Sequence, residues 1–148
     1  MRSQANQLSA MSRRAVAALF VCSLAACASQ QVAVPSNVSF DGARALPTPA
    51  IASGAARPRI LAMRFSGAQV RRRQTWSGTI ITSTNVASVE VRTNLFSIDV
   101  PRRTYGDFRF ALRVYDVPPI FIRAYRVRVI ARNAAGESAE EDLPLRIR

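Results

Sequence analysis

The chain has 148 residues with 21 basic side chains, 9 acidic ones and no histidine, and its formal net charge is +12. All of the basic side chains are arginine. The lack of histidine excludes Ser-His and Cys-His catalytic pairs and metal sites built on imidazole. The length fits one domain with a tether.

A short apolar run precedes Cys27 near the N-terminus. Arg13 and Arg14 come first, and twelve apolar or small residues follow at positions 15–26. This run is too short for a membrane-spanning helix, which needs about 20 residues. A basic start, an apolar middle and small residues at its end are typical of a secretory signal. We assign residues 1–26 to that signal, with translation starting at Met1 or Met11.

The last residues of the run, Leu24, Ala25, Ala26 and Cys27, resemble the lipobox of bacterial lipoproteins. The resemblance implies that the Cys27 thiol is acylated and anchors the protein in a membrane. Ala28, in place of aspartate, implies the outer membrane. The alternative is an ordinary secretory signal with an incidental cysteine. Because Cys22 leaves with the signal, no intrachain disulfide is expected.

The next segment, residues 27–57, is rich in alanine, serine and proline and has no sustained periodicity. This composition predicts a flexible, disordered tether that holds the following domain, residues 58–148, about 30 Å from the membrane.

A period of two, typical of strands, begins after Arg59. It predicts seven strands at residues 60–66, 75–84, 87–92, 95–100, 108–115, 123–132 and 142–148. No segment has the periodicity of a helix. The fold class is therefore predicted as all-β, a single immunoglobulin-like sandwich of about seven antiparallel strands.

One segment of the sixth strand and its turn carries a sharper pattern. Tyr125 is followed by alternating valines, then Ala131, Asn133, Gly136 and Ser138. This segment resembles the corresponding strand of fibronectin type III domains. The resemblance implies that the Tyr125 hydroxyl binds backbone upstream and that Trp76 packs between the sheets. The usual Leu-x-Pro lead-in is missing and the second strand is long, so a bacterial immunoglobulin-like domain outside that family fits equally well.

The remaining polar residues do not form a recognisable catalytic pattern. The glycines lack phosphate-loop spacing, and the acidic residues lie at predicted strand ends or in an acidic turn at 137–142. We therefore expect no enzyme activity, no cofactor, no metal and no small-molecule substrate.

Arginine supplies the main candidate site. Three arginines precede Cys27, so 18 of the 21 remain beside all nine acids, a net charge of +9. In an immunoglobulin-like topology the third, sixth and seventh strands share a sheet. Its outward arginines are predicted to be Arg92, Arg126, Arg128, Arg132, Arg146 and Arg148, with Glu90 as the nearest counter-charge.

Arginine binds phosphate and carboxylate groups through two parallel hydrogen bonds, so this face is a candidate anion-binding surface. A second group, Arg71 to Arg73 with Arg102 and Arg103, is expected on loops. The alternative is a solvated face that protects strand edges from aggregation.

Together these features predict a lipid-anchored envelope protein that binds rather than catalyses. The leading hypothesis is an adaptor in an envelope protein assembly, docking through a sheet face or strand edge. The alternative is binding of an anionic polymer, such as lipopolysaccharide, acidic glycan or DNA, through the arginine face.

Overall fold

A computed structural model of the chain describes residues 32–40, 42, 44–115 and 118–148. The predicted signal and the acylation site at Cys27 lie outside the described residues. The described part folds into two five-stranded sheets packed against each other, which confirms the all-β sandwich. None of its helical segments is long and apolar enough to cross a bilayer.

Ten strands and one 3-10 turn make up the described fold. In chain order the strands are β1 (Val38–Ser39), β2 (Ile60–Phe65), β3 (Gln69–Val70), β4 (Thr75–Thr82), β5 (Val86–Arg92), β6 (Ser97–Val100), β7 (Arg102–Thr104), β8 (Asp107–Arg113), β9 (Ala124–Asn133) and β10 (Ser138–Ile147). The 3-10 turn is Pro119–Phe121. The first sheet has the order β1-β2-β4-β8-β7 and the second has the order β3-β10-β9-β5-β6.

Each of the seven predicted strands overlaps one strand of the structure, but β1, β3 and β7 are additional, and β1 and β3 pair in parallel rather than antiparallel. Strand β7 contains Arg102 and Arg103, which were expected on a loop. The third, sixth and seventh, now β5, β9 and β10, share the second sheet as expected. The clearest difference is β10, which begins at Ser138 rather than at Asp142. Residues 138–142 contain no large apolar side chain, so alternation could not reveal them as strand.

An aromatic cluster fills the core beside the first sheet. The rings of Phe65 and Trp76 stack with centroids 5.3 Å apart, and Phe110 meets Trp76 edge-on at 5.0 Å. Gly78 lies between Phe65 and Phe110 in the strand register. A Cβ at Gly78 would lie 2.6 Å from an atom of each ring, so the absence of a side chain there makes room for the cluster. The indole N–H of Trp76 donates to the Gly67 carbonyl at 3.1 Å, and the side chain is buried.

Part of the segment predicted as a tether packs onto the sandwich. Strand β1 pairs in parallel with β2, and Ala50 forms a bridge with Ser83. The side-chain amides of Asn85 and Asn133 both donate to the carbonyl of Ala56, the latter at 3.1 Å. These contacts attach residues 38–39 and 50–56 to the domain because residues far away in the chain satisfy their backbone groups, which composition alone does not show.

The sandwich has two distinct ends. We call the end formed by the turns at 83–85, 105–106 and 134–137 the turn end. We call the opposite end, formed by residues 71–74, 93–96, 114–115 and 118–123, the groove end. Residues 50–56 pack at the turn end, beside Asn85 and Asn133.

Candidate functional site

Five of the six arginines predicted to form a basic surface lie together on the outer face of the second sheet. The strand register places Arg92 beside Arg128, and Arg128 beside Asp142. Arg126, Arg132 and Arg146 occupy the same face at alternate positions of β9 and β10. The sixth, Arg148, lies beyond β10 at the groove end, where its N–H donates to the Val70 carbonyl at 2.9 Å.

Carboxylates from three strands alternate with these arginines. Arg128 pairs with Asp142 at 2.9 Å and with Glu140 at 3.3 Å. Arg126 lies 3.9 Å from Asp142, and Arg132 pairs with Glu90 at 2.8 Å. Asp99 of β6 stands opposite Glu90 in the register, so the face holds five arginines against four carboxylates.

Glu90 is the most constrained of these carboxylates. It is only 7% exposed, because Ser97, Arg132 and Arg92 surround it. The Ser97 hydroxyl and the two guanidinium groups stabilise its charged form and lower the pKa of Glu90 to about 2, although burial opposes the shift. Glu90 therefore remains charged at neutral pH and pairs with both arginines.

The outer face of the second sheet does not carry the surplus positive charge that the sequence assigned to it. Glu90 is one of four acids on the face, rather than the nearest single counter-charge. Glu140 and Asp142 were expected in a turn and at a strand edge, because β10 was predicted to start too late. Once β10 extends back to Ser138, both carboxylates stand beside β9, Asp142 directly opposite Arg128.

A second group of arginines lies close together at the groove end. Arg71, Arg72, Arg73 and Arg148 line an open groove with a volume of about 670 Å³. The Arg72 N–H donates to the Arg148 carbonyl at 3.1 Å, which holds the loop against the end of β10. Among the residues that the structure describes, no carboxylate forms an ion pair with Arg71, Arg72 or Arg148.

The loop that builds this groove has an unusual backbone. Gln74 N–H donates to the Arg71 carbonyl at 3.1 Å, so residues 71–74 form a turn. Arg73 has a φ of 65°, in the left-handed region that favours glycine or asparagine in such turns. Backbone strain of this kind clusters at functional sites, where the surroundings hold it in place.

An apolar pocket of about 440 Å³ opens between the two sheets at the same end. Trp76, 1% exposed, forms part of its wall, whereas Leu95 and Tyr115 are 45% and 73% exposed. The other lining residues are Phe96, Ile98, Leu112, Arg113, Val114, Pro118, Phe121, Leu145 and Ile147. Ile120, in the 3-10 turn next to the lining residue Phe121, is 74% exposed. A concave apolar pocket with exposed apolar residues around it is typical of a binding site.

Pocket and groove adjoin each other. The Arg73 N–H donates to the carbonyl of Val114 at 2.6 Å, and Val114 lines the pocket. Ile147 of the pocket is followed directly by Arg148 of the groove. The groove end therefore combines an apolar interior with a cationic rim.

Sequence reasoning did not find this combined site. The resemblance to fibronectin type III domains placed Trp76 in the core, and the sequence analysis placed Arg71 to Arg73 on a loop away from the predicted sheet face. The site joins strands from both sheets, which lie far apart in the chain. The exposed aromatic residue Tyr115 was the one local signal of the pocket rim.

No known protein family and no curated protein matches this chain. The likeness to fibronectin type III domains thus stays an interpretation of residues 125–138. The Tyr125 hydroxyl donates to the carbonyl of Phe121 at 2.7 Å, which is the kind of upstream backbone contact that the resemblance implies. The Tyr125 side chain is 6% exposed.

Proposed function

We propose that the protein is a lipid-anchored, non-catalytic binding module of a bacterial cell envelope, held in the outer membrane through acylated Cys27. Its domain is an immunoglobulin-like sandwich that binds its partner in an envelope assembly at the groove end. The observation that carries this proposal is an apolar pocket next to a groove in which Arg71, Arg72 and Arg148 form no ion pair with a carboxylate of the described residues. The lipobox-like residues before Cys27 support the anchor.

The path of the chain supports this arrangement. Strand β1 runs parallel to β2, so both lead from the turn end towards the groove end. Val38 of β1 follows Cys27 by eleven positions, and an extended chain of that length spans at most about 40 Å. The domain is thereby kept near the membrane, and the chain enters it from the side away from the groove end.

Site-specific crosslinking in cells tests the proposal. A photoreactive amino acid in place of Leu95, on the pocket rim, is expected to give a discrete adduct in the acylated protein. The matched control is the same replacement at Ser88, an exposed position on the outer face of the second sheet. Adducts at Ser88 alone, or at neither position, contradict binding at the groove end.

The anchor has its own test. Cys27→Ser is expected to abolish metabolic labelling by a clickable fatty acid and to release the protein from membranes. Labelling that persists in this variant contradicts acylation at Cys27.

A second candidate function, anionic-polymer binding, is favoured by the arginine groove rather than by the sheet face. Charge-driven binding to duplex DNA weakens with salt by a log–log slope of about −0.9 per phosphate engaged. The double variant Arg71→Ala with Arg72→Ala is expected to make that slope shallower. The double variant Glu140→Gln with Asp142→Asn is expected to leave the slope unchanged. A steeper slope in this second variant would instead assign polymer binding to the outer face of the second sheet.

A further inference from the structure

We infer that the groove end binds a single anionic membrane lipid, with one acyl chain in the apolar pocket and a phosphate headgroup on the arginine groove. This inference rests on the proposed function, because the short link to Cys27 keeps the domain near membrane lipid. It requires the domain to take one lipid out of the bilayer, since the chain enters at the end opposite the groove. It departs from the sequence expectation that the protein takes no small molecule.

The pocket has the size and lining that an acyl chain requires. Its volume of about 440 Å³ lies within the range of roughly 300–1,000 Å³ that ligand pockets occupy. Trp76, Leu112, Leu145 and Ile147 are apolar parts of its wall, so each methylene that enters leaves water for an apolar surface. Such a wall offers few hydrogen bonds, so it suits hydrocarbon better than a polar chain.

The groove has the charge and geometry that a phosphate headgroup requires. The guanidinium group is a planar donor that matches phosphate oxygens in pairs. Arg71, Arg72 and Arg148 form no ion pair with any carboxylate of the described residues. They differ in this from Arg126 and Arg128, whose charge the neighbouring acids already neutralise.

The connection between pocket and groove makes one molecule the simplest occupant. The backbone hydrogen bond from Arg73 to Val114 and the covalent link from Ile147 to Arg148 bring the backbone of the groove next to the wall of the pocket. A neutral lipid would leave Arg71, Arg72 and Arg148 without an anionic partner, and a free phosphate would leave the pocket empty. An anionic amphiphile satisfies both parts at once.

Trp76 is the only tryptophan of the chain and lines the pocket, so its fluorescence reports occupancy. The probe is lysophosphatidate with a brominated acyl chain, since bromine quenches tryptophan on contact. The protein is the full acylated chain in phosphatidylcholine nanodiscs. We expect saturable quenching that unbrominated lysophosphatidate reverses. The brominated monoacylglycerol, which lacks only the phosphate, is expected to bind about tenfold more weakly.

Two pairs of substitutions with equal charge change separate the headgroup contact from general electrostatics. Arg72→Ala with Arg148→Ala is expected to weaken lysophosphatidate binding by about tenfold or more. Arg57→Ala with Arg59→Ala changes two exposed arginines that lie before β2, outside the groove end, and is expected to leave binding unchanged. Circular dichroism of both double variants checks that the sandwich is intact.

The possible results distinguish the inference from the function on which it rests. The headgroup contact is refuted if the phosphate-free analogue quenches as strongly as lysophosphatidate. It is also refuted if both double arginine variants bind lysophosphatidate equally well. Absence of quenching by either probe refutes the lipid ligand. If a crosslink from position 95 to a protein partner is then still found, the binding module stands and only the lipid is rejected. If neither the quenching nor the crosslink is observed, the binding-module function is rejected as well.

Discussion

Replacing Glu90 by glutamine tests the ion-pair network on the outer face of the second sheet. The substitution keeps the side-chain shape but removes the charge that Arg92 and Arg132 face at 2.6 and 2.8 Å. The pKa of Glu90 is lowered to about 2 in the folded protein, whereas an unperturbed glutamate has a pKa of about 4.3. Fully converted, a difference of that size corresponds to about 3 kcal/mol. Because the two arginines are partly exposed and screened by water, we expect Glu90→Gln to lower the free energy of unfolding by about 1–2 kcal/mol.

The sign follows from the lowered pKa. A carboxylate whose pKa falls on folding stabilises the protein above its unfolded pKa, and this contribution disappears as the pH falls towards the folded pKa. Glu90→Gln is therefore expected to lower the free energy of unfolding at about pH 7 and to have little effect near about pH 2. Urea denaturation of both proteins across this range, followed by Trp76 fluorescence, measures the difference.

The matched control is Asp99→Asn on the neighbouring strand. Asp99 is exposed, stands opposite Glu90 in the register and forms no ion pair with any described residue. We expect Asp99→Asn to change stability by less than about 0.5 kcal/mol. The reasoning would be refuted if Glu90→Gln cost no more than this control at neutral pH, or if its cost did not diminish in acid.

Three further substitutions test the packing. Gly78→Ala would place a Cβ against the rings of Phe65 and Phe110, so the free energy of unfolding measured by denaturation is expected to fall by about 1–3 kcal/mol. An unchanged free energy would show that the two rings move aside at no cost. Tyr125→Phe removes the hydrogen bond to the Phe121 carbonyl and is expected to lower stability by about 1 kcal/mol, whereas an unchanged midpoint would show that this bond contributes nothing. Asn133→Ala removes one donor to the Ala56 carbonyl, and limited proteolysis is expected to cut residues 50–59 faster; an unchanged rate contradicts that attachment.

The arginine residues show how far local sequence determines a site. Alternation placed Arg92, Arg126 and Arg128 correctly on one face, because side chains of a strand point to opposite sides in turn. It did not reveal that Glu140 and Asp142 lie beside them, since that depends on where β10 begins. A surface that is basic in the linear sequence thereby becomes nearly balanced in the fold.

The sequence by itself determined the strand pattern, the arrangement of three strands in one sheet and the surplus of arginine. The strand pattern and the arginine surplus depend on composition and on the period of two, both of which are local, whereas the shared sheet came from the expected immunoglobulin-like topology. Tertiary structure alone decided which arginines keep an unneutralised charge, that residues 38–39 and 50–56 join the domain, and that Trp76 lines a pocket beside Arg148. The physical reason is that ion pairing, backbone satisfaction and pocket shape each depend on residues that only pairing between distant strands brings together.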